Sequence, residues 1–379
     1  MKIVAALDSF KGSVSSMEAG MAVKKGAACA NPEAEVIVCP LADGGEGTAD
    51  ALVLGMNGKM QNVQVTGPLG APVEAKYGII EENKTAVLEM SQAAGITLVP
   101  AEKRNPLYTT TYGVGELIKD AIQKGCRRFI VGIGGSATND GGVGMLQALG
   151  YEFLNEKGEQ ISFGARGLGQ LRRIVDTKVL PELKECEFRV ACDVTNPLCG
   201  ENGCSAIYGP QKGADAEMIR KMDGWLSNYA VLAKEKYVKA DPEHPGVGAA
   251  GGLGFAFLTF TNASLQSGVQ IVLEETKLED YIREADLVLT GEGRLDGQTV
   301  MGKAPVGVAK LAKKWGKSVV ALAGCVEKDA AACNQAGIDA FFPIVSGPCS
   351  LEEAMKPEIA SENLKRTAEQ VIRLWSLGK

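Results

Sequence analysis

Short runs of apolar residues recur along the chain, and polar or glycine-rich turns separate them. The first run, residues 2–7, is almost continuously apolar, which is typical of a strand buried on both faces of a parallel sheet. Ser15 or Ser16 is placed to cap the helix that follows it. Residues 36–41 form a second apolar run, and a second helix is predicted after it. The amino-terminal part is therefore predicted to alternate strands and helices around a parallel sheet.

From about residue 63 the pattern changes to short strands joined by tight turns. Three strands are predicted, at residues 63–65, 73–80 and 85–90. Turn sequences rich in glycine, proline, asparagine or charged residues separate them, which predicts an antiparallel meander.

Alternation of strands and helices returns in the rest of the chain. Strands are predicted at 128–131, 188–192, 286–290, 318–323 and 340–343, and helices near 114–124, 216–229, 304–315 and 362–375. Strands at both ends of the chain thus flank an antiparallel middle part. The predicted fold class is α/β with two domains: a discontinuous doubly wound (flavodoxin/Rossmann-like) parallel-sheet domain, residues 1–65 and 285–379, and an inserted mixed α/β domain containing antiparallel strands, residues 66–284.

A glycine-rich segment, residues 132–144, follows the strand predicted at 128–131 and precedes a helix near 145–149. Glycines let a backbone approach a ligand closely, and the N–H groups at the start of a helix favour an anion. The alternative is a structural turn. As a phosphate or nucleotide site, the segment offers Gly134, Gly135, Ser136, Thr138 and Asn139.

Residues 132–137 also satisfy the G-x-G-x-x-G/A pattern of dinucleotide-binding proteins. Glycines continue through Gly144 and delay the helix, so a nicotinamide-dependent enzyme is not favoured. A second glycine-rich segment, residues 246–254, precedes an apolar helix, and backbone packing or ligand contact would explain it equally well.

Charged residues follow the first two predicted strands, at the position where open α/β sheets bind their ligands. Asp8 and Lys11 follow the first strand, although Asp8 could instead cap a helix. Asp43 and Glu46 follow the second strand and together could hold Mg²⁺, an ion that prefers hard oxygen ligands. For Asp43, too, a helix cap is the alternative.

A third polar segment, residues 291–299, is predicted to be a loop that carries two carboxylates and an arginine. The P-loop pattern is almost met just beyond it, by residues 297–304. Ala304 replaces the Ser or Thr that should hold Mg²⁺, which argues against a true P-loop. Lys303 is nevertheless a candidate phosphate ligand, with a solvated surface lysine as the alternative.

Composition and charge argue against several classes of protein. A chain of 379 residues exceeds the usual size of one core, so two domains are expected. The net charge of −6 argues against a nucleic-acid partner. The sequence shows no signal peptide and no apolar stretch long enough to span a bilayer, so a cytoplasmic protein with no membrane partner and with reduced cysteines is expected.

The single histidine, His244, lies in a proline-containing loop and argues against a histidine-based triad or metal site. Proton transfer then falls to a carboxylate or a lysine. The predicted loops combine backbone donors, cations and oxygen ligands for a metal, which matches phosphoryl transfer. The residues alone therefore predict an ATP-type phosphotransferase on a small polar substrate, with a non-catalytic small-molecule sensor as the alternative.

Five segments closely resemble the type I bacterial glycerate kinases, in that family's order: residues 8–13, 42–48, 132–144, 191–198 and 290–296. The resemblance implies phosphorylation of D-glycerate, usually at the 2-hydroxyl, with ATP and Mg²⁺. It also implies two α/β domains with the active site in the cleft between them. A kinase of another small sugar acid is the nearest alternative, and the oligomeric state stays open.

Within this hypothesis, Asp193 is favoured as the base that takes the proton of the substrate hydroxyl, because it ends a predicted strand of the inserted domain. Asp296 is the second choice. Arg294 is the candidate bidentate partner of the glycerate carboxylate, and Lys11 is a point-charge helper in catalysis. The further candidates for substrate binding are Asp8 and Ser9.

Overall fold

Strands and helices alternate along most of the chain. The computed structural model describes residues 1–42, 47–56 and 58–377. The strands are β1 (Lys2–Leu7), β2 (Glu35–Val38), β3 (Lys59–Thr66), β4 (Pro72–Ile80), β5 (Thr85–Glu89), β6 (Arg128–Gly132), β7 (Glu152–Leu154), β8 (Arg173–Val175), β9 (Glu187–Ala191), β10 (Asn262–Gln266), β11 (Leu287–Leu295), β12 (Ser318–Val326) and β13 (Ala340–Pro343).

The described helices are mostly short, and five further segments of the described ranges form 3₁₀ turns. The α-helices are α1 (Ser16–Ala30), α2 (Thr48–Gly55), α3 (Ser91–Ala94), α4 (Tyr112–Gln123), α5 (Val143–Ala148), α6 (Ala165–Leu168), α7 (Cys204–Tyr208), α8 (Ala216–Lys234), α9 (Ala249–Phe260), α10 (Gly268–Glu275), α11 (Leu278–Glu284), α12 (Ala304–Lys314), α13 (Ala332–Gln335), α14 (Leu351–Ala354) and α15 (Pro357–Leu377). The 3₁₀ turns are Ile96–Leu98, Ala101–Lys103, Pro181–Glu185, Pro210–Lys212 and Thr299–Met301. None of the helices in the described ranges combines the length and the apolar character that crossing a membrane requires.

The chain divides into two units, of which the first is discontinuous. As far as its residues are described, it comprises Met1–Asp43, Asp50–Met56 and Val269–Lys379. Five of the described strands form its parallel sheet, in the order β13-β12-β11-β1-β2. Numbered along the chain within this unit, this is the 2-1-3-4-5 order of flavodoxin-like folds, and the order reverses between β1 and β11. The predicted doubly wound domain is confirmed.

Helix α1 begins at a predicted cap. The Ser15 hydroxyl accepts a hydrogen bond from the Glu18 N–H at 3.3 Å, and the Glu18 carboxylate accepts one from the Ser15 N–H at 2.8 Å. This capping box satisfies two N–H groups that a helix start otherwise leaves without partners. Helix α1 packs against α15, and Val23 and Leu364 lie fully buried in the core they share with the sheet.

The second unit comprises Gly44–Ala49 and Asn57–Gly268, as far as these residues are described. Its main sheet has the order β10-β9-β6-β5-β4-β3. Strands β10, β9, β6 and β5 are parallel, whereas β4 and β3 continue the sheet as an antiparallel meander. The predicted mixed α/β domain with antiparallel strands is therefore confirmed.

The sequence predicts domain boundaries near residues 66 and 284, and the two units divide the chain elsewhere. Strand β3 pairs along its whole length with β4, which places it in the second unit. Helix α11 contacts α12 and β1, which places it in the first unit.

Candidate active site

A cavity of about 320 Å³ lies in the first unit, at the carboxyl ends of β1 and β11. Residues that follow β1, the end of β11, the start of α12 and the segment between β13 and α15 line it. Because the strand order reverses between β1 and β11, the cavity lies at the topological switch point, where open α/β sheets bind ligands.

The turn after β1 brings three predicted residues, Asp8, Ser9 and Lys11, to this cavity. The Asp8 N–H donates to the Gly291 carbonyl of β11 at 2.9 Å, and the Asp8 carboxylate accepts a hydrogen bond from the Ser9 N–H at 2.7 Å. The side chain of Asp8 is buried, whereas Lys11 is exposed. One main-chain hydrogen bond thus fixes Asp8 beside β11, and Ser9, its predicted partner in substrate binding, is tied to the Asp8 side chain.

Strand β11 is longer than the sequence predicts. The prediction ends the strand at Thr290 and continues with a loop, but the ladder with β12 extends to the pairs Arg294–Cys325 and Leu295–Val326. Backbone N–H and C=O groups form this ladder whatever the side chains are, so a segment rich in glycine and charge can still pair. As a result, Glu292 and Arg294 project from a strand rather than from a loop.

Arg294 lines the cavity with a side chain that is 63% exposed. One guanidinium nitrogen lies 2.9 Å from a Glu327 oxygen, and Nε lies 3.7 Å from the Asp296 carboxylate. A substrate carboxylate at this arginine would therefore compete with Glu327, an exposed pairing of the kind that contributes little free energy.

Lys303 bridges two carboxylates at the edge of the same cavity. Its ammonium nitrogen lies 3.6 Å from Glu292 and 3.6 Å from Asp296. Gly302 has a left-handed backbone with a φ of 113°, and it leads into Lys303, the N-cap residue of α12. The near match to a P-loop thus places a lysine directly before a helix, although the Ser or Thr of a true P-loop is replaced by Ala304.

The two carboxylates beside Lys303 differ in their acidity. Burial raises the pKa of Glu292, and the hydrogen bond that it accepts from the Thr299 hydroxyl at 2.7 Å only partly offsets this. Burial also disfavours the charged form of Asp296, but Lys303 and two backbone N–H groups outweigh it and lower the pKa of Asp296. Those two N–H groups, from Gln298 and Thr299, show that Asp296 also orders the turn before α12.

In the second unit, the glycine-rich segment 132–144 starts at the carboxyl end of β6. Gly134 and Gly135 are exposed, whereas Thr138 and Asn139 are fully buried. The Asn139 amide donates to the Ser205 hydroxyl at 2.8 Å. In this conformation, the segment offers a ligand the backbone of Gly134 and Gly135, and the side chains of Thr138 and Asn139 are inaccessible to it.

Asp140 holds the end of this segment from inside the unit. Its Oδ2 accepts hydrogen bonds from the Thr111 N–H and the Thr111 hydroxyl, both at 2.9 Å, and its Oδ1 accepts one from the Gly142 N–H. Burial raises the pKa of Asp140, and these hydrogen bonds oppose that effect. The Asp140 carboxylate therefore holds Thr111 and Gly142 together by hydrogen bonds, and it is too deeply buried to contact a ligand.

The second glycine-rich segment, 246–254, packs against the first. The Gly141 N–H donates to the Gly251 carbonyl at 2.9 Å, and Gly251 lies at a kink in the first turn of α9, where its φ of 68° is left-handed rather than helical. A Cβ at Gly251 would overlap the carbonyl oxygen of Thr138. Of the two explanations that the sequence leaves open for Gly251, the structure supports backbone packing.

Lys212 is a residue of this region that no motif in the sequence identifies. It is buried, and its ammonium donates to the Ser136 hydroxyl at 2.8 Å and to the Thr138 carbonyl at 2.6 Å. Burial lowers the pKa of Lys212 to about 8, with Cys204 and Asp140 acting in the opposite direction. Its only signal in the sequence is a setting between proline and glycine, which does not reveal burial.

Asp193, the predicted base, follows β9 and is exposed. Its Oδ1 accepts a hydrogen bond from the Gly268 N–H at 3.2 Å. Strands β5, β6 and β9 are parallel neighbours, so Asp193 and Gly135 follow strands that end at the same edge of the sheet. Glu89, which no motif in the sequence identifies, ends β5 at that edge and accepts a hydrogen bond from the Ala49 N–H at 2.9 Å.

The predicted metal ligands Asp43 and Glu46 lie outside the described residues. Within the described ranges, no group of three or more His, Cys, Asp or Glu side chains is arranged to hold a metal ion. Asp8 and Glu292 do line one cavity, and their carboxylates are the hard oxygen ligands that Mg²⁺ prefers. Two carboxylates suffice for Mg²⁺ where substrate phosphates and water complete its shell, so these residues fit such an ion.

Comparisons with known proteins cover the whole chain. The profile of the glycerate kinase family matches residues 3–376. A glycerate kinase of Haemophilus influenzae is 47% identical over 99% of this chain and 98% of its own length, and the glycerate 2-kinase of Escherichia coli K12 is 46% identical over 100% and 99%. The crystal structure of a protein from Salmonella typhimurium LT2 assigned as a glycerate kinase 2 superposes with a TM-score of 0.93, at 44% identity, over 100% of this chain and 99% of that one. The family and enzyme class predicted from the sequence are thereby confirmed: the chain belongs to the glycerate kinase family.

Proposed function

We propose that this enzyme transfers the γ-phosphoryl group of ATP to the 2-hydroxyl of D-glycerate, giving 2-phospho-D-glycerate and ADP. One observation carries the proposal: in a chain of this family, three separate segments bring Lys11, Arg294 and Lys303 to one cavity beside two carboxylates. Such a cluster suits a polyanionic substrate. The name of the Escherichia coli relative, glycerate 2-kinase, supports the choice of the 2-hydroxyl.

In the reaction, the 2-hydroxyl oxygen of glycerate forms a bond to the γ-phosphorus while the bond to the β,γ-bridging oxygen breaks, which releases ADP. The hydroxyl proton passes to a carboxylate, and we assign this role to Asp193, with Asp296 as the second choice. Asp193 suits the role because it is exposed and its Oδ1 is held by the Gly268 N–H. The pairing of Asp296 with Lys303 makes it the weaker base.

The cations of the first unit neutralise charge. Lys11 and Lys303 act on the phosphoryl oxygens as point charges, and Arg294 binds the glycerate carboxylate in a bidentate manner. Asp8 and Ser9 position the substrate from the turn after β1. In the second unit, the N–H groups of Gly134 and Gly135 donate hydrogen bonds to phosphate oxygens. Ser136, Thr138 and Asn139 are buried in the same segment and hold its backbone in place.

Mg²⁺ would neutralise the phosphate oxygens of the nucleotide. We propose Asp43 and Glu46 as its ligands, and Asp8 and Glu292 of the first unit fit the same role. Dependence on ATP would also agree with the cytoplasmic location that the sequence predicts.

The test is a coupled ADP-release assay with ATP, Mg²⁺ and D-glycerate, followed by phosphorus NMR of the product. ADP release with a 2-phosphorylated product is the expected result, and a 3-phosphorylated product would overturn the choice of hydroxyl. Turnover with another hydroxy acid alone would change the substrate and keep the kinase. Binding of ATP or glycerate without ADP release from any acid would instead indicate a sensor.

A further inference from the structure

The cavity of the first unit combines a charged part with an apolar part. The charged part contains Asp8, Lys11, Glu292, Arg294 and Lys303. The apolar part belongs to the segment between β13 and α15 and includes Ile344, Val345, Leu351, Ala354 and Met355. The whole cavity has a volume of about 320 Å³, which falls in the range of roughly 300–1,000 Å³ that is typical of sites for larger organic ligands.

The apolar part does not suit D-glycerate. Each carbon of glycerate carries an oxygen, so placing it against Ile344 and Val345 would leave polar groups without hydrogen-bond partners. The base of a nucleotide has flat, largely apolar faces that gain free energy when aliphatic side chains cover them. The triphosphate of the same molecule would find its cations in the charged part. The two parts together therefore match a nucleoside triphosphate.

One of two neighbouring strand glycines supports a flat ligand. Gly293 in β11 and Gly324 in β12 both line the cavity, between the pairs Glu292–Ala323 and Arg294–Cys325. Glycine inside a strand often marks the close approach of a ligand or of another backbone. At Gly324 a Cβ would lie 2.5 Å from the Gly293 carbonyl, so backbone packing explains this glycine. At Gly293 a Cβ would make only ordinary contacts, the nearest at 3.5 Å, and packing within the protein does not explain it.

Leu351 supplies apolar surface at the cavity although 75% of its surface is exposed. A single exposed leucine is ordinary in a soluble protein. Here, however, the side chain lines the same cavity as the buried Ile344, so a bound base would cover both.

We propose that the apolar part of this cavity binds the base of ATP, with the polyphosphate directed to Lys11 and Lys303. The inference rests on the proposed function in taking ATP as the phosphoryl donor. The base then lies in the first unit, whereas the sequence also predicts nucleotide binding at the glycine-rich segment 132–144. That segment is then left with a role in binding phosphate alone.

Three variants test this site by calorimetric titration with AMP-PNP and Mg²⁺, in the absence of glycerate. Leu351→Ser removes apolar surface, and Ala354→Phe fills the cavity. Leu374→Ser is the matched control, because Leu374 is also an exposed leucine, at 62%, but lies on α15 and does not line the cavity. Inorganic tripolyphosphate with Mg²⁺ serves as a second probe that has charge but no base.

We expect Leu351→Ser to weaken AMP-PNP binding about 3- to 10-fold, because part of the area of one leucine is lost. Ala354→Phe should weaken it by about 10-fold or more, and Leu374→Ser should leave it unchanged. Tripolyphosphate should bind the unaltered protein and all three variants equally. Retained tripolyphosphate binding also shows that a variant is folded. If Ala354→Phe loses tripolyphosphate binding, the surface variant Leu351→Ser alone decides whether the apolar part binds the base.

Equal AMP-PNP binding by Leu351→Ser and the unaltered protein would overturn the proposed base site. The site would also be overturned if a variant that circular dichroism shows to be folded lost as much affinity for tripolyphosphate as for AMP-PNP. Failure of the unaltered protein to bind AMP-PNP at all would overturn ATP as the donor, and with it the proposed function. Binding that follows the expected pattern, without turnover of D-glycerate, would confirm the base site and reject only the substrate.

Discussion

Lys212 is a buried amine held by two neutral oxygens, the Ser136 hydroxyl and the Thr138 carbonyl. Burial lowers its pKa from 10.5 to about 8. Between these two pH values the folded protein binds fewer protons at this site than the unfolded chain does. Raising the pH through this window therefore adds stability, and the cost of the buried charge is present in full below about pH 8.

Comparison of the unaltered protein with Lys212→Met isolates this effect. We expect the free energy of unfolding of the unaltered protein, relative to that of the variant, to rise between pH 8 and pH 10, by up to about 3 kcal/mol. Urea unfolding at several pH values measures it. The same comparison with Lys234→Met, at an exposed position of α8, should show no such trend. A difference that is constant with pH for Lys212→Met would contradict the lowered pKa.

Asp193→Asn tests the proposed base. The variant keeps an oxygen that can accept the hydrogen bond of the Gly268 N–H but cannot take a proton, so we expect kcat to fall roughly 10²- to 10⁴-fold with an unchanged melting temperature. Asp223→Asn is the matched control, because Asp223 likewise accepts a hydrogen bond from one backbone N–H, that of Gly200. A nearly normal kcat in Asp193→Asn would remove Asp193 from this role and direct attention to Asp296.

At the scale of elements, the sequence predicts strands well where apolar residues run together. Strand β1 is an example, because burial on both faces demands such a run. The second half of β11 escapes prediction because its ladder to β12 uses backbone groups, while its side chains resemble those of a loop. The role of the second glycine-rich segment is ambiguous in the sequence for a similar reason. The segment packs against residues 138–142, which lie far away along the chain.

The contact between the two glycine-rich segments leads to a further prediction. Gly251→Ala would combine a left-handed φ with overlap between the new Cβ and the Thr138 carbonyl. We expect it to cost more than about 3 kcal/mol of stability, measured by urea unfolding. Gly158→Ala is the matched control, since Gly158 has a φ of 78° but open space around the position of a Cβ, and should cost only about 1 kcal/mol. Equal costs for the two variants would show that the packing of Gly251 is unimportant.

At the scale of the whole molecule, the sequence locates the charged half of the candidate site but not the rest. Parallel strands end at one edge of a sheet, so polar residues after β1 and β11 could be expected to meet. The apolar segment from Ile344 to Met355 reaches the same cavity only through the path of the chain between β13 and α15, which no local pattern specifies. Burial of Lys212 depends in the same way on packing between distant segments.

Each unit has its own hydrophobic core, so a ligand that binds within one unit should stabilise that unit first. At 100 times its Kd, AMP-PNP with Mg²⁺ adds about 2.7 kcal/mol to the free energy of unfolding of the structure that binds it. Amides of β1 and β11, which are buried in the first unit, should then exchange with solvent up to about 100-fold more slowly where exchange requires unfolding of that unit. Hydrogen–deuterium exchange with mass spectrometry measures this effect, and β6 of the second unit, which leads to the proposed phosphate contacts at Gly134 and Gly135, should slow less than β1 and β11. Slower exchange in β6 with no change in β1 and β11 would show that the nucleotide binds in the second unit, as the glycine-rich segment 132–144 suggests from the sequence alone.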